Sequence, residues 1–421
     1  MLDKKNGIRQ LAYVVIIDNI EPIVGSDNCE AAVVGGWRIM IRKNTFKPGD
    51  LAIYFEIDSK VPEKEPFLFL SSKGFKVKTQ KYTFGGKGNF ISQGLLMSAE
   101  DFGWKNLSDC IEDNDKNLHF PNSETRFLTK QLEVTYADPE DNKRKGVSNI
   151  SVNKYNRMIQ RYPKFFKKSL IKKLMKYPFF KEFFYFFIGK KVTNEKCFPS
   201  HLTYIHKSDE ERVENLHFIL KDKDPWVKTV KIDGTSSLYL LEKKPRNKFE
   251  YWVCSRNVRQ LDRNQVCYHK DNVYWEVEDK YHIRNFLEKM LKEHPDWDYV
   301  ALQGESAGVT SSGAKIQGDP HNFKELRFFG YNFIESKTGR WETEKAAKLV
   351  EGENGIPWVP IIDTNYILPD DFEEFKLSAD GDCEAEGASG LREGYVYRRK
   401  KFDTNKVNSF KNVSRQYLLK H

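Results

Sequence analysis

Six short motifs in the second half of the chain carry side chains that could perform chemistry at phosphorus. They supply an amine nucleophile, several carboxylates, an arginine and a second lysine, the groups that align and neutralise phosphates during transfer. Each motif is weak evidence by itself, because such residues more often lie on solvated surfaces or in cores. Their order is Lys231-Ile-Asp-Gly-Thr-Ser, Ser255-Arg256-Asn257, Gln303-Gly304-Glu305, LRFFGYNF from Leu326, EGYVYR from Glu393, and Ser409-Phe410-Lys411.

This ordered set resembles the motifs of the covalent nucleotidyltransferase superfamily of ligases and capping enzymes. Within it, the chain resembles the ATP-dependent RNA ligases, in particular the branch with an N-terminal OB module, the Naegleria and Deinococcus nick-sealing type. Three other segments support that branch. GWRIMIRKNTFKPGDLAIYFEIDSKVP resembles its OB module, QLEVTYADPED its interdomain linker, and Phe198-Pro199 with KSDEERVEN the start of its catalytic domain.

The resemblance assigns the covalent step to Lys231. A lysine amine is nucleophilic only when it is unprotonated, and its ordinary pKa is about 10.4. Partial burial and nearby cationic groups or a metal ion can lower that pKa, which would make the amine available. Attack on the α-phosphorus of ATP would release pyrophosphate and leave AMP on the lysine. Transfer of AMP to an RNA 5′-phosphate, and then attack by a 3′-hydroxyl, would seal the strand.

The same resemblance implies that three carboxylates surround the site. Glu305 is expected to accept hydrogen bonds from the ribose. Asp233 and Glu393 are expected to hold a hydrated Mg²⁺ or Mn²⁺, and Glu305 belongs to the same metal-binding set. Magnesium keeps several waters in protein sites, so binding through water is expected. The predicted cofactors are therefore ATP, as the AMP donor, and one of these divalent ions.

Lys411 is the second predicted catalytic residue. By the resemblance it would hold the α-phosphate and neutralise the charge that grows in the transition state. Arg256 would reach the ribose or a phosphate, and Phe329, in preference to Phe328, would stack on adenine. The predicted nucleotide-binding residues are Val230, Asp233, Gly234, Ser236, Arg256, Glu305, Phe329, Glu393 and Lys411.

The chain departs from the family at two motif positions. Val230 precedes Lys231 where these ligases often carry glutamate, so only the backbone carbonyl of Val230 is left to read the adenine amino group. Ser409 stands where many relatives have a second lysine. The hold on phosphate is therefore expected to depend on Lys411, with Lys406 as a helper.

The N-terminal part, residues 1–106, is expected to form an OB-fold RNA-binding domain. The segments LAYVVIIDNI, WRIMIRK and LAIYFEID are rich in β-branched and aromatic residues and are separated by turn sequences, which favours a small β-barrel. In KVKTQKYTFGGKGNFISQGLLMS, basic, aromatic and glycine residues alternate. That segment is either an exposed hairpin or a phosphate groove with stacking platforms.

Residues 107–197 are predicted to hold a linker and a basic aromatic helical insert. The insert, NRMIQRYPKFFKKSLIKKLMKYPFFKEFFYFFIGKK, contains Pro163 and Pro178, which should delimit or kink its helices. Three interpretations stay open: a helical pair that packs its phenylalanines on a neighbouring domain, an RNA-binding surface, and a membrane interface.

Residues 198–421 are predicted to form an α+β nucleotidyltransferase (adenylyltransferase) domain, built on antiparallel sheets of the ATP-grasp-like ligase type. The motif-bearing segments read as strands. SDEERVENLHFIL and YHIRNFLEKMLKEH read as helices, and the second of them has apolar residues at helical spacing.

Composition indicates an intracellular protein, and its basic charge suits a polyanionic partner as well as it suits many proteins without one. The 421 residues carry a net charge of +9, and lysine and arginine contacts to phosphates release counterions. The 6 cysteines are far apart, so neither a zinc ribbon nor a disulfide framework is indicated. No signal peptide or membrane span is evident. We expect a soluble, cytoplasmic or nuclear monomer without stable membrane association.

The predicted partner is RNA with 3′-hydroxyl and 5′-phosphate ends, in a nicked duplex. One alternative is an mRNA-capping guanylyltransferase or a DNA ligase, but those relatives usually carry an OB module after the nucleotidyl domain, and here the chain ends shortly after Lys411. The other alternative is a catalytically inactive nucleic-acid-binding protein. The presence of Lys231, Glu305, Glu393 and Lys411 argues against it.

Overall fold

The structure is a computed structural model, and it describes residues 9–84, 88–108, 126–137, 205, 210–246, 248–256, 259, 272–403 and 405–420. The basic aromatic insert, residues 156–191, lies outside the described residues. Its three interpretations therefore stay predictions.

The N-terminal module consists of short β-strands. They form four small sheets in the orders β1-β5-β10, β2-β3-β4, β8-β9 and β11-β6-β7, and every described pairing within them is antiparallel. The predicted OB-like module is confirmed, although the hydrogen bonds among its described strands do not close it into one continuous barrel. The strands are β1 Ala12–Ile16, β2 Asn19–Pro22, β3 Cys29–Val34, β4 Trp37–Arg42, β5 Leu51–Phe55, β6 Ser59–Lys60, β7 Lys76–Val77, β8 Thr79–Thr83, β9 Asn89–Gln93, β10 Leu95–Met97 and β11 Thr135–Tyr136.

The central sheet β1-β5-β10 separates two apolar cores of this module. Successive side chains of a strand point to opposite faces, so Val14 and Phe55 enter one core while Tyr13 and Tyr54 enter the other, beside Trp37. The first core also takes side chains from beyond the strands, namely Leu107, Leu128, Leu132 and Val134. The antiparallel pairing of β8 with β9 agrees with the hairpin interpretation of this segment, and the phosphate-groove interpretation stays a prediction.

The C-terminal domain has ten strands and five α-helices among the described residues. The strands are β12 Glu211–Arg212, β13 Trp226–Lys231, β14 Thr235–Lys244, β15 Lys248–Ser255, β16 Tyr299–Ala307, β17 Arg327–Glu335, β18 Gly339–Arg340, β19 Ile361–Tyr366, β20 Gly394–Arg399 and β21 Ser409–Val413. The helices are α1 Val273–Tyr281, α2 Ile283–Glu293, α3 Thr343–Ala347, α4 Phe372–Leu377 and α5 Arg415–Lys420.

Two five-stranded sheets organise this domain, in the orders β12-β21-β20-β13-β19 and β15-β14-β16-β17-β18. The described pairings are antiparallel, as predicted, except that β12 runs parallel to β21. No short turn joins β12 to β21, so nothing in the connection imposes the antiparallel direction. The predicted α+β class is confirmed with this one parallel pair.

The first motif links the two sheets. Lys231 is the last residue of β13 in one sheet, and Thr235 is the first residue of β14 in the other. A Cβ atom on Gly234 would lie 2.3 Å from the carbonyl oxygen of Ser306. Only glycine therefore lets the chain pass so close to β16, and the nucleophile motif is held at the junction of the sheets.

The two segments predicted as helices have different outcomes. In α2, the buried residues Ile283, Phe286, Leu287, Met290 and Leu291 follow helical spacing, as an amphipathic helix requires. SDEERVENLHFIL instead supplies β12 and a 3₁₀ helix, Val213–Lys221. Its residues are fixed by contacts with the N-terminal module, and these contacts override the intrinsic preference for α-helix.

Asn215 joins the two parts of the molecule. Its side-chain oxygen accepts a hydrogen bond from Trp37 Nε1 at 2.7 Å, and its Nδ2 donates to Glu56 Oε1 at 2.9 Å. The hydroxyl of Tyr13 donates to the same Glu56 oxygen at 2.9 Å. These groups are buried, so the module and the domain share one satisfied polar network.

A second buried contact lies beside it. The ammonium of Lys376 in α4 is 2.7 Å from Glu214 Oε1, and both side chains are fully buried. Lys376 also donates to the carbonyl oxygen of Val413 at 3.1 Å. The backbone of Gly36 donates to Glu214 at 2.9 Å, where a Cβ atom on Gly36 would lie 2.7 Å from Glu214 Cα. Glycine is thus needed at position 36 for the two parts to meet.

No helix among the described residues is both long enough and apolar enough to cross a membrane.

Candidate active site

Lys231 and Glu393 meet at the end of β13. The Lys231 ammonium lies 2.7 Å from Glu393 Oε2, and the two side chains are 24% and 15% exposed, so incoming groups can reach them. Gly394, which pairs with Lys231 across the sheet, has a φ of +150°. A Cβ atom there would lie 2.2 Å from the Asn412 carbonyl oxygen. This glycine therefore permits the close approach that brings Glu393 to the lysine.

The charges around Lys231 keep its amine protonated. Burial alone would lower the pKa of Lys231, but Glu393, with Asp233 and Glu305 nearby, raises that pKa well above its ordinary value. Burial alone would raise the pKa of Glu393, yet the lysine lowers it. The lowered pKa expected for Lys231 is wrong for these surroundings, because its neighbours are carboxylates. Attack on phosphorus requires the ion pair to open and the amine to lose a proton.

Asp233 is fixed through both its backbone and its side chain. Its N–H donates to His321 Nε2 at 2.8 Å, and its Oδ2 accepts from the Tyr417 hydroxyl at 2.5 Å. Burial lowers the pKa of His321, so the ring is neutral and its Nδ1 donates to the Leu391 carbonyl oxygen at 3.0 Å. Burial and the charge of Glu393 raise the pKa of Asp233 to about 7.

Glu305 lies on the second sheet and faces the same group of charges. Burial raises the pKa of its carboxyl to about 8, the Lys231 charge acting in the opposite direction and the Asp233 and Glu393 charges adding to the rise. The structure therefore brings together the three predicted carboxylates, although they belong to different strands and loops. Their mutual repulsion would be relieved by added positive charge.

These carboxylates fit a hydrated divalent ion better than a bare one. Among the described residues, no three His, Cys, Asp or Glu side chains converge as a direct metal-binding group. Asp233, Glu305 and Glu393 nevertheless act on one another electrostatically. An ion that keeps its waters can accept such spacing, because the waters bridge to the carboxylates. The donor set thus agrees with the predicted Mg²⁺ or Mn²⁺.

Lys411 lies on the same face of the first sheet as Lys231. Thr229 and Lys411 both pair with Val396 in β20, and alternate residues of a strand share a face. The Lys411 side chain is buried, and its charge contributes to the low pKa of Glu393. The two predicted catalytic lysines are therefore brought together.

Arg398 supplies another cation on this face, two residues beyond Val396 on strand β20. It pairs with Ser409 across β20 and β21, and its guanidinium donates to Thr229 Oγ1 at 3.0 Å and to Glu210 Oε1 at 3.3 Å. The Ser409 hydroxyl also donates to Glu210. Lys406, the expected helper, is instead exposed and lies 2.8 Å from Asp224.

The second sheet distinguishes the two candidate aromatic residues. Phe329 pairs with Glu305, which in turn pairs with Ser236, so these three side chains share a face. Phe328 is directed to the other face, where its ring meets Tyr239 at a centroid distance of 5.7 Å. This geometry favours Phe329 for stacking. The Ser236 hydroxyl lies 3.1 Å from the hydroxyl of Tyr331.

The remaining predicted residues occupy the margins of the site. Val230 is buried, and its N–H donates to the Pro360 carbonyl oxygen at 3.0 Å. Arg256 is exposed just after β15, and its charge acts on Glu305, opposing the rise in the pKa of that carboxyl. Asn257 lies outside the described residues.

Sequence reasoning missed three residues at this site: His321, Arg398 and Tyr417. Arg398 ends the EGYVYR motif, so its position on the same strand face as the motif's valine was a usable signal. His321 and Tyr417 belong to no motif considered, and their contacts with Asp233 join residues far apart in the chain. No pattern in the sequence points to them.

Comparisons with family models and solved structures agree with this arrangement. Residues 11–99 match an OB-fold domain family, and residues 224–413 match the RNA ligase family. No curated protein is significantly similar to the chain.

Several solved structures of the Naegleria gruberi RNA ligase share the fold. A mutant with AMP and Mn is 24% identical with a TM-score of 0.66, and the match covers 98% of this chain and 99% of that one. The structure with PPi is 25% identical with a TM-score of 0.65, over 98% and 99% of the two chains. Another mutant, with ATP and Mn, is 24% identical with a TM-score of 0.64, over 98% of each.

Proposed function

We propose that the chain is an RNA ligase with an OB-fold module ahead of its catalytic domain, and that it seals RNA ends through an AMP held on Lys231. The observation that carries the proposal is the meeting of Lys231, Glu393 and Lys411 on one sheet face, with Glu305 on the facing sheet. The proposed domains are an OB-fold domain at 1–106, a linker and insert at 107–197 and an adenylyltransferase domain at 198–421.

In the first step, the Lys231 amine attacks the α-phosphorus of ATP. The ammonium first loses one proton to solvent. The Nζ–P bond then forms, the P–O bond to pyrophosphate breaks, and a second proton passes from Nζ to Glu393, whose Oε2 lies 2.7 Å away in the resting ion pair. Lys411 neutralises the charge that develops on the α-phosphate. Phe329 provides a surface for adenine, and Glu305 provides acceptors for the ribose hydroxyls.

A hydrated divalent ion fits the three carboxylates of this site. Asp233 and Glu393, with Glu305, would hold Mg²⁺ or Mn²⁺ through its waters, and the ion would supply positive charge against the phosphates. Solved structures of the Naegleria ligase contain ATP or AMP with Mn, which supports the same cofactors here.

In the later steps, the RNA 5′-phosphate attacks the lysine-bound AMP, and the P–N bond breaks. A 3′-hydroxyl then attacks the activated 5′-phosphate, forming the phosphodiester and releasing AMP. We propose that the physiological ends lie in a nicked duplex, because a module of OB type stands beside the catalytic domain and OB folds bind polynucleotides. A monomeric enzyme in the cytoplasm or nucleus stays a prediction.

One experiment separates this function from its alternatives. The protein is incubated with α-labelled ATP or GTP and Mn²⁺, and label that resists denaturation is then chased with a nicked duplex whose 3′-hydroxyl strand is RNA. We expect covalent label from ATP and sealing of the nick. Label from GTP alone would indicate a capping enzyme, sealing that requires a DNA 3′-end would indicate a DNA ligase, and absence of covalent label would indicate a binding protein.

Lys411→Ala should slow self-adenylylation by about 10²–10³-fold, the usual effect of removing one group that stabilises transition-state charge. The rate of lysyl-AMP formation under single-turnover conditions measures it. Lys401→Ala is the control, since Lys401 is exposed in the segment that connects β20 to β21. Equal rates for the two variants would remove Lys411 from the mechanism.

Self-adenylylation should accelerate as pH rises from about 6 to 9, by up to tenfold per unit. The Glu393 carboxylate holds the pKa of Lys231 above its ordinary value, so the neutral amine is scarce at low pH and increases with pH. Single-turnover rates at saturating ATP provide the test, and a rate independent of pH would contradict it.

A further inference from the structure

We propose that helix α5 positions Asp233 for the reaction, with Tyr417 as the positioning residue, and that the N-terminal module holds this helix in place. The inference rests on the proposed function, because it names what keeps one carboxylate of that site in its working orientation. It also gives the N-terminal module a role within the catalytic centre, separate from any contact with RNA.

Tyr417 contacts the active site through both its hydroxyl and its ring. Its side chain is buried, and its hydroxyl donates to Asp233 Oδ2 at 2.5 Å. Its ring stacks on His321 with an interplanar angle of 24° and a centroid distance of 6.1 Å. His321 in turn accepts the backbone N–H of Asp233 at 2.8 Å. One stacked pair of rings therefore fixes the main chain and the carboxylate of the same aspartate.

The hydrogen bond from Tyr417 opposes a competing arrangement. Asp233 carries charge close enough to Lys231 to raise the pKa of that lysine. Without the hydrogen bond from the Tyr417 hydroxyl, the Asp233 carboxylate would rotate toward the Lys231 ammonium and form an ion pair with it. Such a pair would occupy the nucleophile and withdraw the carboxylate from a hydrated cation. Mutation of a residue that hydrogen-bonds to a metal-holding side chain typically changes metal affinity or activity by about 10–100-fold.

The start of α5 is tied to the active-site strand. The N–H of Ser414 donates to the Glu393 carbonyl oxygen at 2.8 Å, and the Ser414 hydroxyl donates to Asp380 Oδ1 at 2.6 Å. The guanidinium of Arg415 donates to both carboxylate oxygens of Glu373, at 2.6 and 3.0 Å. The helix therefore begins at a fixed point, directly beside the residue that pairs with Lys231.

The other side of α5 meets the N-terminal module. Leu418, next to Tyr417, packs against the core cluster that contains Tyr13, Trp37 and Tyr54. The helix also lies against strand β8 of that module. A shift of the module would thus be passed through a single helical turn to the hydroxyl that holds Asp233.

Tyr417→Phe is the direct test, since it removes only the hydroxyl. Tyr251→Phe is the matched control, because Tyr251 also donates to a carboxylate, that of Glu278, but on β15 and toward helix α1. We expect Tyr417→Phe to slow self-adenylylation by about 10–100-fold and to weaken Mn²⁺ binding, measured by electron paramagnetic resonance without nucleotide, to a similar extent. The control should change neither.

Leu418→Ala tests the coupling of α5 to the N-terminal module while keeping Tyr417. It also serves as a second test of the role of α5 if Tyr417→Phe lowers the unfolding temperature. We expect a smaller loss of the same two quantities. Wild-type rates and wild-type Mn²⁺ affinity in Tyr417→Phe would overturn the proposal for Tyr417, and in Leu418→Ala they would overturn the coupling. If the wild-type protein forms no lysyl-AMP at all, the proposed function fails, whereas normal labelling of both variants leaves that function intact and rejects this inference.

Discussion

Lys231→Ala is expected to abolish the covalent adenylate completely. The attacking amine must stand between Glu393 and the α-phosphate, and Lys231 is the lysine that contacts Glu393 at the junction of the two sheets among the described residues. Alignment of this kind accounts for a large part of the barrier lowered in phosphoryl transfer. The measurement is retention of α-labelled AMP by the denatured protein, and retained label in Lys231→Ala would place the nucleophile elsewhere.

Lys228→Met is the matched control for that variant. Lys228 lies on the same strand but on the opposite face, where its ammonium sits 4.0 Å from the centroid of the Tyr395 ring. Its loss should leave adenylylation intact. A second control supplies RNA that is already adenylylated at its 5′-end. Since this substrate carries its own AMP, Lys231→Ala should still join it, and failure would indicate that the variant is misfolded.

Lys376→Met should lower the free energy of unfolding by about 3–5 kcal/mol, the usual result when one partner of a buried ion pair is removed. The Lys376 and Glu214 side chains are both fully buried and 2.7 Å apart. Burial alone would raise the pKa of Glu214, but Lys376 lowers it. With methionine at 376, the carboxylate is left without its countercharge. Denaturation by guanidinium chloride, followed by tryptophan fluorescence, measures the loss.

The double variant Glu214→Leu with Lys376→Met provides the control. Replacing both members of a buried pair by apolar groups is often neutral or stabilising, so much of the loss should be recovered. The low pKa of Glu214 means that its contribution is present at neutral pH and disappears as the pH falls through the native pKa. The wild-type protein should therefore lose this stabilisation in acid, and the double variant should not. A single variant as stable as the wild type would contradict the assignment.

The sequence predicts the strands that bear the motifs because their signals are local. β13 and β14 each carry a short apolar run, and the chain between them contains Gly234, which lies too close to β16 for a residue with a Cβ atom. The apolar spacing of α2 likewise specifies its buried face without reference to any partner. The preference for Phe329 over Phe328 agrees with the pairing of Phe329 and Glu305.

What the sequence does not predict depends on contacts between distant residues. The parallel direction of β12 and the 3₁₀ helix after it arise because Glu214 and Asn215 bond to the N-terminal module. The raised pKa of Lys231 depends on which charges the fold brings near it. Tyr417 reaches Asp233 only after both sheets and α5 are in place.

The network around Asn215 affects how chimeric enzymes should be assembled. A donor OB module transplanted at a junction near residue 106 would meet the unchanged host segment 211–215, and Asn215 would lose the buried hydrogen-bonding partners that Trp37 and Glu56 supply. Unmatched groups of this kind destabilise a protein by about 1–3 kcal/mol each. Successful exchange of modules between relatives should therefore carry the segment 210–221 along with the donor module.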